Sequence, residues 1–264
     1  MIPIGVRSPA SVGLRPLAIL ALWLAMVPAQ AAERVVSLNL CTDQLLVLLA
    51  PERIVALSAL ARDPALSFVA LEARRFPQVR ASAEAVLALR PDLVLAARFG
   101  AQTTVALVER HGVPVSRLDL PADFPGIERL IRDAAAAIGV PERAVPLIAT
   151  MRARLAAIPS PVGTIAAIAW EPRLYTAGPA SLMGAAMRAA GLTNAATGER
   201  MGAEVLLRHP PDVLIVPDTP AFPSLATNML ESSALRGIPR RRVPPALTLC
   251  AGPFSAEAAT LLAR

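Results

Sequence analysis

The chain has 264 residues, 55% of them hydrophobic, with a mean hydropathy of +0.53 and a net charge of +6. Its apolar residues are Ala, Leu and Val dispersed in short runs, which excludes a polytopic membrane protein, because a span needs roughly 20 nearly uninterrupted apolar residues; the high apolar fraction without low-complexity tracts excludes a disordered chain. All 26 basic residues are arginine, scattered rather than clustered, and aromatics are only 3%, so the concentrated basic patch of a nucleic-acid-binding surface is missing and no nucleic-acid partner is expected.

The N-terminus carries Arg7 and Arg15 ahead of an apolar run, Leu17 to Val27, closed by Pro28 and by small residues at Ala29 and Ala31. A basic start, a short apolar middle and an A-x-A end predict a cleaved signal peptide over residues 1–31 and export to a periplasm. From there, short apolar runs bounded by turn residues alternate with helical patterns, which predicts α/β architecture with parallel sheets. Strands are expected over Val35–Leu38, Arg53–Ser58, Asp92–Ala97 and Val113–Leu118. Between them, Asn39–Thr42 reads as a loop and Asp43 as the cap of a helix to Ala50. Ala83–Leu89 reads as a short helix, and another helix ends near His111. Residues Phe124–Ile158 are helical in pattern, split at Gly139-Val140-Pro141 into one helix and a longer one opened by Pro. Strands are expected again over Thr164–Ala169, Val213–Val216 and Arg242–Leu249. Helices are expected over Ser181–Ala190, Ala203–Arg208, Ser224–Leu235 and from Ser255 onward.

An internal repeat organises these elements. Glu84, Pro91 and Asp92 recur at one common offset as Glu204, Pro211 and Asp212. Each copy reads as a short helix, a Pro-Asp turn and a buried strand, with Pro ending the helix. The plan is an N-terminal α/β lobe over 32–121, a helical linker over 122–159 and a C-terminal α/β lobe over 160–264.

In open parallel sheets, ligands sit beyond the carboxyl ends of the strands. That rule selects Asn39, Cys41, Thr42, Arg62, Arg98 and Phe99 in the first lobe. In the second it selects Trp170, Glu171, Arg173, Tyr175, Cys250 and Phe254, with the loop from Asp218 to Phe222 beside them. Both cysteines, the only Tyr and the only Trp after the N-terminal segment fall in this set. Arg62, Arg98 and Arg173 could meet an anionic ligand, since guanidinium matches carboxylate or phosphate. Three readings of Cys41 and Cys250 stand open: buried small apolar residues, a disulfide between the lobes, or contacts to the ligand or a soft metal.

The opening Arg34-Val-Val-Ser-Leu-Asn39, the Arg53-Ile-Val-Ala-Leu-Ser58 strand, the Leu89-Arg-Pro-Asp-Leu-Val-Leu95 block and the lobe-helix-lobe plan together resemble one family. They look like the periplasmic binding proteins of ABC importers for cobalamin and ferric siderophores. The resemblance implies two Rossmann-like lobes joined by a long rigid helix (a class III periplasmic binding protein), with little hinge motion. It implies a monomer that captures a metal chelate between the lobes, with no cofactor of its own and no metal ligated directly by the protein. It also implies delivery to an inner-membrane permease dimer and its ATPase, with Glu84 and Glu204 each docking on one permease subunit. The chain departs from the cobalamin-binding pattern, which uses several tryptophans, and Ala97 stands where an aromatic is expected. A ferric siderophore, haem or another soft-metal complex held through cleft Cys and Arg therefore stays open.

Rival classes find less support. His111 and His209 are the only histidines and read as surface residues, too few for a free-zinc site. No nucleophile with a neighbouring base is visible, so an enzyme is not expected. A chelatase-like activity on the same bilobed fold, or an envelope protein that only binds a partner, are the alternatives.

Overall fold

The strands form where aliphatic residues run without interruption, because a parallel sheet is covered on both faces. Leu93–Ala97 (β3) is buried at every position, and Val213–Pro217 (β7) at all but its last. The computed structural model describes residues 31–159, 163–171, 174–218, 225–233 and 235–264. Residues 1–30 of the expected signal peptide, Arg173, Ser224 and most of the Asp218–Phe222 loop lie outside these residues.

Two four-stranded parallel sheets carry the fold. In the first, Val35–Ser37 (β1), Ile54–Ala56 (β2), β3 and Val115–Leu118 (β4) run in the order β2-β1-β3-β4. In the second, Ile165–Ala169 (β5), Leu192–Asn194 (β6), β7 and Arg240–Val243 (β8) run β6-β5-β7-β8. The order is the same in both, so the repeat seen in the sequence extends to whole sheets. Its Pro-Asp turns have one architectural task. Asp92 accepts hydrogen bonds from the Glu33 and Arg34 amides, each at 2.9 Å, and Asp212 accepts from the Ala166 amide at 2.7 Å. Each Asp thereby ties the start of one central strand to the start of its neighbour.

The first sheet is flanked by Leu40–Leu49 (α1), Ala70–Ala73 (α2), Ala83–Ala88 (α3), Gln102–Arg110 (α4) and Phe124–Ile138 (α5). In α5, Ile127, Leu130, Ile131, Ala134, Ala135 and Ile138 are buried, the stripe of an amphipathic helix on a core. Asp123 caps its start by accepting from the Gly126 amide at 2.7 Å. Gly139, at φ 85°, supplies the left-handed residue that ends it. Ala144–Ala156 (α6) then connects the two halves over about 20 Å. It packs against α5 on one side and Ser255–Leu262 (α10) on the other. Glu128 of α5 is bridged by Arg132 and by Arg152 of α6, which holds its carboxyl below the usual glutamate range. Leu182–Ala189 (α7), Ala203–Arg208 (α8) and Leu225–Leu230 (α9) complete the second half. Among the described residues no helix is long and apolar enough to cross a membrane.

The structure corrects several expectations. Asn39, not Asp43, caps α1: its side chain accepts from the Cys41 amide at 2.9 Å. Cys41 and Thr42 thus belong to the first helical turn rather than to a loop. Pro141–Arg143 winds as a separate 3-10 turn, which leaves α6 at 13 residues, shorter than the 15 of α5. The last strand lies at Arg240–Val243, earlier than expected, and Pro245–Leu247 is a 3-10 turn. Strand β6 was not expected, and α9 is shorter than Ser224–Leu235.

The arginines have a recurring task at helix ends, where the last carbonyls have no partner within the helix. Arg53 donates to the Ile138 carbonyl at 2.8 Å and Arg143 to the Leu49 carbonyl at 2.8 Å, closing α5 and α1. Arg34 donates to the Leu89 and Arg90 carbonyls after α3, at 2.7 and 3.0 Å. Arg240 and Arg241 donate to the carbonyls of Leu230 and Leu262 at the ends of α9 and α10.

Candidate functional site

The first turn of α1 starts at the carboxyl end of β1 and connects to both halves of the molecule. Cys41 is joined to Cys250 by a disulfide across a sequence separation of 209 residues. Of the three readings of these cysteines, the interlobe disulfide is the one found. A disulfide offers no thiolate, so the expected role of the pair as soft-metal ligands does not hold in this state. Thr42 is buried against the Ser37 hydroxyl at 2.7 Å and does not face a ligand. Next to it, Asp43 is fully buried and accepts from the Ser58 amide at 3.1 Å and from its hydroxyl. Burial pushes its carboxyl up to about 6. Gln44 accepts from the Phe68 amide at 2.7 Å. Asp43 and Gln44 thereby fix both ends of the 58–68 loop at the rim of the first sheet.

Strand parity decides the fate of the second-lobe candidates. Along β5, Ile168 and Trp170 face one side, where they pack with Leu214 and Val216, while Ala169 and Glu171 face the other. Trp170 is therefore 1% exposed, and its indole N–H donates to the Met201 carbonyl at 3.0 Å. It is a core residue, contrary to the expectation that it meets a ligand. Phe254 is likewise buried, at 2% exposure, stacked on Phe68 with ring centroids 4.8 Å apart.

Glu171, in contrast, lines a pocket of about 250 Å³ at the carboxyl ends of β5, β7 and β8. The remaining wall is mainly apolar: Ala169, Met183, Ile215, Pro217, Val243 and Leu249 among others. Glu171 keeps one side in solvent, and the pocket removes water from the other, which raises its pKa above the usual glutamate range. The N-terminus of α7 borders the pocket through Ser181, whose hydroxyl is already used between the Gly178 carbonyl and the Gly184 amide.

Five large apolar side chains stand exposed after strand ends: Leu60, Phe99, Leu120, Tyr175 and Leu249, the most open being Phe99 at 74%. They follow β2, β3, β4, β5 and β8. Phe68, Leu71, Val145 and Leu207 are exposed elsewhere, so what sets the five apart is their place after strand carboxyl ends, where open parallel sheets bind ligands. Leu120, Leu249 and the pocket wall were missed in the sequence, where only rare residue types drew attention. The strand-end rule applied to every large apolar residue would have found them.

Two of the three candidate arginines are engaged elsewhere, and Arg173 lies outside the described residues. Arg98 pairs with Asp119, and Arg62 donates to the Phe76 carbonyl. Arg200, which the sequence did not suggest, donates to the Tyr175 hydroxyl at 2.6 Å with its guanidinium 4.4 Å from the ring centroid. Asn39 is occupied as a helix cap. Among the described residues no group of three or more His, Cys, Asp or Glu converges as metal ligands would.

Glu84 and Glu204 occupy equivalent places, each the second residue of its helix, α3 or α8. Both are exposed, and neither makes an ion pair with a described side chain. Carboxylates are favoured there by the positive end of the helix dipole.

The fold and these sequence features have counterparts among known proteins. A cobalamin-binding protein of Halobacterium salinarum is 32% identical over 146 residues, 50% of this chain and 39% of that relative, so the chain spans about two fifths of the relative's length. The periplasmic heme-binding protein RhuT from Roseiflexus sp. RS-1 has a similar fold, with a TM-score of 0.71 and 24% identity over 88% of this chain and 98% of that one. An ABC-type Fe3+-hydroxamate transport protein from Saccharomonospora viridis aligns with a TM-score of 0.65 and 20% identity over 88% of this chain and 92% of that one. A family model described as periplasmic binding protein matches residues 35–234, and the chain belongs to that family.

Proposed function

We propose that the chain is the solute-binding component of an ABC importer and holds a metal chelate where the two sheets present their carboxyl ends. The observation that carries this reading is the mainly apolar pocket at the carboxyl ends of β5, β7 and β8, with Leu249 exposed in its wall and Leu60, Phe99, Leu120 and Tyr175 exposed after other strand ends. A soluble protein gains nothing in stability from such a surface, and a bulky ligand with an apolar face would cover it. The metal arrives inside the chelate, as cargo, and the protein contributes no catalytic step. The ligands named for the relatives, cobalamin, heme and an Fe3+-hydroxamate, are all chelates of this kind.

In this reading the protein works as a monomer in the periplasm, reached through the signal peptide expected over residues 1–31. Glu84 and Glu204 dock on the two copies of the permease. Two similar lobes facing two similar subunits need one anion each, and charge pairs at such rims set orientation and encounter rate. The test is a calorimetric titration of residues 32–264 with cyanocobalamin, haem and a ferric hydroxamate, with native mass spectrometry of the protein taken directly from the periplasm. At least one chelate should bind below ~10 μM, about −7 kcal/mol. Failure of every chelate to bind at that level removes the reading.

A further inference from the structure

The disulfide stands at the strand ends and not in the connecting helix. Cys41 lies in the first turn of α1, just past the end of β1, and Cys250 directly follows Thr248 and Leu249 of the pocket wall. The two halves are therefore joined twice, once by the chain through α6 and once by this bond. The seam beside the bond is apolar and crossed in both directions. Leu40 is buried in the core of the second half, Ala251 and Ala256 are buried in the core of the first, and Phe68 stacks on Phe254. This packing and the Asn39 cap set the resting positions of the two ends. The bond adds a limit on how far the ends can part, which packing alone does not impose. The two cysteines also differ in access: Cys41 is half-buried, whereas Cys250 is buried.

We propose that the bond between Cys41 and Cys250 is a reducible strap on the binding region. Oxidised, it holds the strand ends of the two halves at the spacing that fits the cargo; reduced, it lets them part and weakens binding. This rests on the solute-binding reading and adds a redox control to it. A pre-organised site loses less freedom when it binds, so the strap favours the loaded state without touching the cargo. The reductant is a dithiol. One of its thiolates attacks the more accessible Cys41 sulfur, and Cys250 leaves as a thiolate; the second thiol then displaces Cys41 from the mixed disulfide. Two electrons and two protons pass to the protein, which ends with two thiols, and the dithiol ends as a disulfide. The coupling is reciprocal. If reduction weakens binding about tenfold, bound cargo makes the bond about tenfold harder to reduce, a shift of about 30 mV.

The experiment uses residues 32–264 with cyanocobalamin, haem and ferrioxamine B as probes. Affinities are measured by calorimetry for the oxidised protein and for the double variant Cys41→Ser with Cys250→Ser. Each probe that binds the oxidised protein should bind the variant about tenfold more weakly. A second measurement needs no variant. The unaltered protein is equilibrated in dithiothreitol redox buffers with and without its tightest-binding probe, and the reduced fraction is read by thiol alkylation and mass. The bound probe should lower the reduction potential of the bond by about 30 mV. If the variant does not fold, this titration alone decides. Equal or tighter binding by the folded variant overturns the strap and leaves the solute-binding reading standing, as does a potential that the bound probe does not move. Binding of none of the three probes overturns both.

Discussion

Replacing the disulfide is the most informative perturbation. Cys41 and Cys250 lie 209 residues apart, so the cross-link removes a large amount of chain entropy from the unfolded state. The chain-entropy relation gives about 5 kcal/mol at 25 °C for a loop of that size. The folded state should change little on reduction, because the helix cap at Asn39 and the burial of Cys250 are independent of the bond. Domain stabilities total about 5–15 kcal/mol, so the bond accounts for a third or more of what is available. The assay is urea unfolding followed by far-UV ellipticity, on the oxidised protein, the protein in reductant, and the double variant Cys41→Ser with Cys250→Ser. With a urea slope of about 2–3 kcal/mol/M, the midpoint should fall by roughly 2 M in both the reduced and substituted forms. Two titratable thiols in the denatured, unreduced protein, or coincident oxidised and reduced midpoints, would refute the reasoning.

Other outcomes follow from the same geometry. Asp43 keeps its proton up to about pH 6 in the fold and loses it near 3.8 when unfolded. Its contribution is thus fully present below 3.8 and lost as pH rises through 6, about 3 kcal/mol in all. Asp43→Asn should remove that slope, so the difference in melting temperature between variant and parent should widen from pH 4 to pH 7; a constant difference contradicts the assignment. Glu128 has the opposite sign, since Arg152 lowers its pKa, and its clasp between α5 and α6 should weaken as pH drops below the ordinary glutamate range. Glu84→Arg combined with Glu204→Arg should reduce uptake in cells to background while chelate affinity stays unchanged, and normal uptake excludes the docking role. Trp170, buried and hydrogen-bonded, should emit at short wavelength and resist acrylamide quenching in residues 32–264, and Trp170→Ala should cost about 3–5 kcal/mol.

Much of the fold could be read in the chain because its strands are uninterrupted aliphatic runs and its turns carry Pro-Asp. The repeat around Glu84 and Glu204 was visible as sequence and returns as two sheets of identical strand order. The site was less legible, for physical reasons that particular residues display. Trp170 drew attention through rarity, yet alternation along β5 turns it into the core and turns Glu171 to the pocket. Asn39 and Asp43 are both good helix caps on composition; the choice depends on Ser58, a partner from another element that draws Asp43 inside. The three arginines from Arg240 to Arg242 resemble loop, but carbonyls at the ends of α9 and α10 give two of them partners, so an edge strand forms there. Strand β6 has only three residues and follows Gly191 directly, too little chain to show a period.

The arginine clamps on helix ends have a practical meaning for handling this protein. The closures at Ile138, Leu49, Leu89, Leu230 and Leu262 use planar guanidinium groups, which amine-directed reagents leave unmodified. The sequence contains no lysine, so amine-directed reagents find no side-chain ammonium among its 264 residues. If the docking proposal holds, cross-linking of a permease contact would be built on carboxylates such as Glu84 and Glu204.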